Sequence, residues 1–276
     1  MKPPPFHYAR PSDVAEAVRL LASDEDAKAL AGGQSLLPMM NFRLARPSVL
    51  VDIGRLPELA ELRREDDVLV IGAGVRQRTA ETSQLVRETC PLLGQALRHV
   101  GHHQIRSRGT VGGSLAHADP AAELCAAATA LDAEVVVTGI NGRRTIPAAE
   151  LFVAPYETSL SADEVLTEVR VPIRDARCGF AEISPRSGDF AIAGVAAVLS
   201  DEVRLVGFGI GGTVQRLPEA EAALDGTALE AERIDTAAQL AADSTAPPDD
   251  LHADPATRRA ALRAAVQRAL KQVANA

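Results

Sequence analysis

Gln104-Ile105-Arg106-Ser107-Arg108-Gly109-Thr110-Val111-Gly112-Gly113-Ser114-Leu115-Ala116-His117-Ala118-Asp119-Pro120 is the stretch on which the reading of this chain turns. From Gly101 to Ala118 there is no regular apolar period, and Gly, His and Arg crowd together, which is the profile of a functional loop. Gly112-Gly113 is followed by the hydroxyl of Ser114. A second pair lies in Ala31-Gly32-Gly33-Gln34-Ser35-Leu36-Leu37-Pro38-Met39-Met40 and is trailed by Ser35. Glycines let a backbone come close to a ligand and turn several N–H groups toward one point, a nest suited to a diphosphate. Arg106 and Arg108 place positive charge just ahead of the second pair. One Gly-Gly alone reads as a tight turn. Two, each in an irregular polar loop between apolar elements, point to an anionic ligand. Neither pair is a G-x-G-x-x-G opening a long helix, and no Gly-Lys-Ser/Thr occurs, so the Rossmann fingerprint and the P-loop are both absent.

Outward from these loops, Pro11-Ser12-Asp13 followed by Val14, Ala17, Val18 and Leu21 predicts a capped amphipathic helix. Lys28-Ala29-Leu30 predicts a strand leading into the first glycine turn, with a short helix after it. Ser48 to Ile53 and Val68 to Val75 read as strands, Ser83 to Val86 and Cys90 to Val100 as helices. Asp119-Pro120 predicts a helix carrying Leu124, Ala127, Ala128 and Leu131, with Asp119 as N-cap worth about 1 kcal/mol. His-Ala-Asp-Pro recurs at His252 to Pro255 without a Gly-Gly before it, so the shared string reads as a helix start. Glu134 to Thr138 and Arg143 to Ile146 form a hairpin about Asn141-Gly142, and Glu164 to Pro172 is a further strand. Beyond it the character changes. Phe190 to Leu199 and Val203 to Gly209 read as a β-meander, followed by helices from Leu217 and from Pro255, with Asp243 to Asp250 as a surface loop. A boundary near residue 175 separates a larger α/β part from a smaller α+β part.

The chain has 276 residues, enough for two or three lobes, and its 46% hydrophobic content supports a packed core. Its net charge of −8 argues against a nucleic-acid partner and against an anionic membrane surface. Any anionic ligand must be held by local geometry against the average field. No signal core and no membrane-length apolar run is present. The three cysteines, Cys90, Cys125 and Cys178, are scattered and include no C-x-x-C, so neither a zinc site nor a self-contained iron–sulfur cluster is supported. They read as small buried hydrophobes in a reduced, cytoplasmic protein. No nucleophile–base pair or carboxylate dyad emerges, and no catalytic residue is assigned.

The two glycine strings resemble the FAD-binding motifs of the medium subunits of the xanthine dehydrogenase and aerobic carbon monoxide dehydrogenase family, the molybdenum hydroxylases. Gly188-Asp189-Phe190-Ala191 resembles the family's third signature, and the likeness runs from Phe6 to the final helix. The resemblance implies an α+β fold: a two-lobed FAD-binding domain of the PCMH/vanillyl-alcohol-oxidase type, then a smaller C-terminal α+β domain with an antiparallel sheet. The expected domains are residues 1–175, with lobes at roughly 1–55 and 56–175, and residues 176–276. FAD would lie between the lobes, its diphosphate cradled by both glycine loops. The first motif maps onto Ala29, Leu30, Ala31, Gly32, Gly33, Gln34, Ser35 and Leu36, and the second onto Thr110, Val111, Gly112, Gly113 and Ser114. His117 and Asp119 are further expected contacts, Glu123 falls at an acidic position facing ribose or ribityl hydroxyls, and Leu166 at an apolar ring contact. Phe190 falls where relatives place Tyr or Trp near the isoalloxazine, and Phe offers no hydrogen bond there. It also fits a buried strand residue. The two basic residues usual before this signature are reduced to Pro185-Arg186, and the cluster-binding cysteine insertion of one family branch is missing.

The function this implies is an electron-relay flavoprotein subunit. A large molybdenum-cofactor subunit and a small subunit with two [2Fe-2S] clusters would be its partners, in a dimer of heterotrimers. Two alternatives stand beside it: an independent flavoenzyme, disfavoured by the lack of an acid–base set, and a structural subunit without flavin, disfavoured by intact glycine loops. Neither the substrate nor the acceptor (NAD, oxygen or quinone) is readable. Among the remaining candidates, His99, His102 and His103 lack a nearby carboxylate or cysteine to complete a metal shell, and read as a loop lying against a partner or the flavin. Arg63-Arg64 and Arg258-Arg259 read as solvated faces, and Met39-Met40 as packing.

Overall fold

A computed structural model describes residues 1–224 and 229–276. Three sheets of three or more strands organise them, beside a two-stranded pair of Phe152–Ala154 and Glu157–Thr158. The first is parallel and three-stranded, with Val49–Asp52 in the middle between His7–Ala9 and Lys28–Leu30. The helix Val14–Ala22 covers it, burying Ala17, Val18 and Leu21. That helix begins as expected, for the Asp13 side chain accepts from the Glu16 N–H. The second sheet is antiparallel, in the order Leu62–Glu65, Val68–Gly72, Val165–Pro172, Glu134–Gly139 and Gly142–Pro147. The third is an antiparallel meander of Arg177–Ile183, Ala193–Leu199, Val203–Phe208 and Gln215–Arg216.

The second and third sheets share one core. Between them runs the helix Glu123–Ala130, every residue of which is buried. Small side chains make this possible, since Ala126, Ala127 and Ala130 let the flanking layers close on the helix. The last helix, Pro255–Asn275, covers the other face of the meander with Ala261, Leu262, Ala265, Val266 and Ala269. Here the approach is so close that a Cβ at Gly179 would strike the Ala269 carbonyl. Gly179 is therefore required by packing.

Several expectations need correction. The stretch from Gly101 to Ala118 is not irregular throughout: His103–Arg106 and Val111–His117 form two short helices. Asp119 is not a helix N-cap. Its Oδ1 accepts from the Ala121 N–H at 2.9 Å, closing a turn, and the helix begins only at Glu123 with Ala122 as cap. The second copy of the string behaves as read, with Asp254 accepting from Thr257. The two copies differ because the Pro120 carbonyl is engaged by the Gly209 N–H at 2.8 Å, which ties that residue to the meander. The hairpin turn is shifted by one residue, since Gly139 pairs with Gly142 and leaves Ile140-Asn141 as the loop. Gln77–Thr82 and Ala231–Asp243 are helices that the sequence reading missed.

Two arginines read as solvated are built into the fold. Arg258, 4% exposed, donates to the Ile192 and Gly209 carbonyls at 2.6 and 2.7 Å and pairs with Asp250. Arg63 bridges Glu61, Glu65 and Glu168 along the second sheet. The three cysteines are buried and free, as expected.

Candidate functional site

A cavity of about 660 Å³ lies between the parallel sheet and the second sheet, bounded at one end by the loop that joins the first two strands of the meander. That volume sits within the range of about 300–1,000 Å³ typical of ligand sites. Its wall brings together three segments distant in sequence: Ala29 with Ala31 to Leu36, Thr110 with Gly112 to Ser114, and Gly188 to Phe190. His117, Asp119, Glu123 and Leu166 line it too. Of the residues expected at the site, Leu30 lies behind the glycine loop instead, against a second cavity, and Val111 is buried in the core beneath it.

The two glycine pairs do different work. In the first loop Gly33 takes a φ of +72°, in the left-handed region that favours glycine. The backbone N–H groups of Gly32, Gly33, Gln34 and Ser35 find no acceptor among the described residues. They form the free donor cluster at the cavity wall. In the second, the Val111 and Gly112 N–H groups donate to the Val75 and Ala73 carbonyls at 3.0 Å, and the Gly113 N–H to the Thr110 hydroxyl at 3.0 Å. Those donors are spent, so Gly112-Gly113 is not a nest. It is the first turn of a helix pressed onto the second sheet, and a Cβ at Gly112 would lie 2.7 Å from the Ala73 Cα. Gly32 likewise lets the loops touch, since a Cβ there would run into the Arg108 carbonyl and lie 2.8 Å from the Gly109 Cα.

Neither expected arginine faces this cavity. Arg106 pairs with Glu81 at 2.9 Å and donates to the Val100 and Gly101 carbonyls, holding the loop before the second motif. Arg108 points to the other side of the glycine loop. Lys28 supplies a cation on the lining, and sequence reasoning missed it as a site residue.

Gln77 was missed as well. It is 5% exposed, lines the cavity, and its Oε1 has no hydrogen-bond partner among the described residues. An unpaired buried acceptor costs about 1–3 kcal/mol, so this one calls for a donor from a ligand. A hydroxyl or amine of a dinucleotide answers that need, as the free N–H cluster answers a diphosphate. The residues present thus fit FAD. No local signal marks Gln77, which is an ordinary helix residue in sequence.

Glu123 lines the cavity, and Glu182 stands near enough behind it to act on it by charge. Glu123 is 8% exposed in the first turn of its helix. Burial pushes its carboxyl up to about 8, helped by the negative charges of Glu182 and Asp119. The Glu182 side chain is buried as well, one oxygen facing His99 Nδ1 at 3.3 Å and the other without a hydrogen-bond partner among the described residues. His99 leans on Phe180, so it belongs to the packing and not to a metal shell; among the described residues no group of ligands suits a metal ion. His102 packs beneath Gly188, where a Cβ would strike its ring. His117 lies against Tyr156 with ring centroids 5.1 Å apart, and burial lowers its pKa. Phe190 is 68% exposed at the cavity edge, which overturns its reading as a buried strand residue; the strand begins at Ala193.

Fold and cavity together define a two-lobed dinucleotide-binding protein with an appended α+β domain. The profile of the FAD binding domain in molybdopterin dehydrogenase matches residues 4–174, and that of the CO dehydrogenase flavoprotein C-terminal domain matches residues 179–273. The chain belongs to this family, the medium FAD subunits of molybdenum hydroxylases such as carbon monoxide dehydrogenase. It is 42% identical to the nicotine 6-hydroxylase medium subunit of Paenarthrobacter nicotinovorans, over 98% of both chains. The carbon monoxide dehydrogenase medium chain of Hydrogenophaga pseudoflava is 38% identical over 98% of this chain and 97% of its own. Among solved structures, carbon monoxide dehydrogenase from Hydrogenophaga pseudoflava superposes with a TM-score of 0.94 at 40% identity, covering 99% of this chain and 98% of that one. Quinoline 2-oxidoreductase from Pseudomonas putida 86 gives 0.96 at 35% identity, covering 100% and 99%.

Proposed function

We propose that this chain is the electron-transfer subunit of an oxidoreductase complex. A large subunit would oxidise substrate at a molybdenum cofactor, and a small subunit would hold two [2Fe-2S] clusters. The flavin site described above would stand between those clusters and an external acceptor. The single observation that carries the reading is the cavity itself. It couples a free backbone donor cluster to an orphaned buried acceptor and an exposed aromatic edge.

When bound, FAD supplies the redox chemistry, and the protein supplies binding, orientation and electrostatics. The Gly32 to Ser35 N–H groups hold the diphosphate, and Gln77 accepts from a hydroxyl or amine. Glu123, neutral below about pH 8, presents both an O–H donor and an acceptor to the sugar or ribityl hydroxyls. Ala29, Leu36 and Leu166 exclude water, and Phe190 stands at the rim where a ring system meets solvent or a partner. Thr110 to Ser114 press the first loop into shape, while His117 and Asp119 complete the wall. The chain divides at about residue 175 into the FAD-binding domain, with its two lobes, and the C-terminal domain. The complex is a cytoplasmic dimer of heterotrimers.

Affinity purification of the chain from its native host tests this. Two further chains in equal amounts, one carrying molybdenum and one carrying iron and sulfide, are expected. Substrate should bleach the flavin only in that complex. Turnover by the isolated chain would contradict the relay role.

A further inference from the structure

Back to back with the flavin cavity, across the wall formed by Ala31, Gly32 and Gly33, lies a second cavity of about 230 Å³. Three arginines line it, Arg55, Arg76 and Arg108, with Tyr8 and a single carboxylate, Asp52. In a chain of net charge −8 this is a local reversal of sign.

The carboxylate makes no hydrogen bond or ion pair with the three arginines among the described residues. One oxygen of Asp52 accepts from the Tyr8 hydroxyl and the other from the Gly54 N–H at 3.0 Å. Arg76, half-buried, donates to the Gly54 carbonyl at 3.0 Å and to the Arg108 carbonyl, both neutral acceptors. Burial and the Arg108 charge hold the Arg76 pKa below its usual value, with Asp52 offsetting only part of the effect. The exposed side chains of Arg55 and Arg108 make no hydrogen bond or ion pair among the described residues. Unpaired arginines gathered around a concavity repel one another, and their forked donors match phosphate oxygens bidentately.

We propose that this cavity is a second anion site, taking a phosphate group, as free phosphate or on a small phosphomonoester, on the reverse face of the glycine loop. It shares only a wall with the flavin site. Arg55 and Arg108 grip the anion from the open side, and Arg76 meets it from beneath. Because Arg76 also holds the Arg108 carbonyl that Gly32 packs against, an occupied site braces the junction of the two glycine loops.

The test is inorganic phosphate titrated into the FAD-loaded chain, against chloride at equal ionic strength, followed by thermal midpoint and by calorimetry. Phosphate should bind saturably and raise the midpoint. Arg55→Gln with Arg108→Gln, neither residue holding backbone, should weaken phosphate binding roughly tenfold or more while leaving flavin content unchanged. Phosphate binding that is absent from the FAD-loaded chain, that persists in the double variant, or that FAD displaces would overturn the proposal. Methyl phosphate in place of phosphate separates free anion from phosphomonoester. Should the chain fail to hold FAD at all, arginine dependence of phosphate binding still decides this site on its own, since neither substituted residue lines the flavin cavity.

Discussion

Replacing Glu123 with Gln removes a carboxyl that the fold keeps neutral, and the consequence is a pH dependence of defined sign. Burial is the main cause, with Glu182 and Asp119 adding repulsion, and together they raise Glu123 from an ordinary value of 4.5 to about 8. Between those values the folded state binds a proton that the unfolded state has released. Stability therefore falls as pH rises from about 4.5 to about 8, and levels off above. A shift of that size corresponds to about 5 kcal/mol, an upper figure because water entry would relieve part of it. Gln keeps the shape without the ionisation. At pH 5 the flavin-free wild type and Glu123→Gln should unfold in urea with nearly equal free energies. At pH 8.5 the variant should be the more stable by at least about 2 kcal/mol. Taking the difference between the two proteins cancels the other titrating groups, His117 among them. A difference that stays flat across this range would refute the argument that Glu123 is buried and neutral.

Four shorter expectations accompany it. Arg258→Met leaves the Ile192 and Gly209 carbonyls unpaired, and should cost roughly 2 kcal/mol, read as a lowered thermal midpoint. Gln77→Leu should weaken FAD retention by about 1 to 2 kcal/mol without loss of folding, measured by flavin fluorescence on dilution; unchanged affinity would show that Gln77 Oε1 meets no ligand donor. Phe190→Ala should leave stability within about 0.5 kcal/mol, because the ring is exposed, while changing the flavin's potential or its rate of reaction with acceptor. Burial pushes the Cys90 thiol up to about 12 and that of Cys178 up to about 11, so neither should react with a thiol reagent at pH 8 until the protein unfolds.

What could be read beforehand follows physical range. The helix at Val14 was legible because its cap and its apolar stripe are both local. The first glycine loop was legible because its donors belong to consecutive residues. The second pair was misread as a nest because its N–H partners, Ala73 and Val75, lie nearly forty residues upstream on another element. Asp119 and Asp254 carry the same four-residue string, yet only Asp254 caps a helix, since the bond from Gly209 to Pro120 is invisible locally. Arg258 did leave a trace that went unused. It continues the stripe of Ala261, Leu262 and Ala265 at helical spacing, which places it on the buried face. Gln77 left none, because what marks it is the absence of a partner in three dimensions.

The same contacts decide what a glycine variant would report. Gly113→Val would press on the Thr110 hydroxyl, 2.6 Å from the new Cβ, and disturb a helix start. Gly33→Val would strain a left-handed residue in the donor loop itself. Only the second acts first on the flavin site.

The most direct test of the central claim is the visible spectrum of the purified chain after incubation with FAD and desalting. One flavin per chain, lost in Gly33→Val while that variant stays folded, is the expected result. A folded chain that emerges colourless, with no flavin retained, would contradict it.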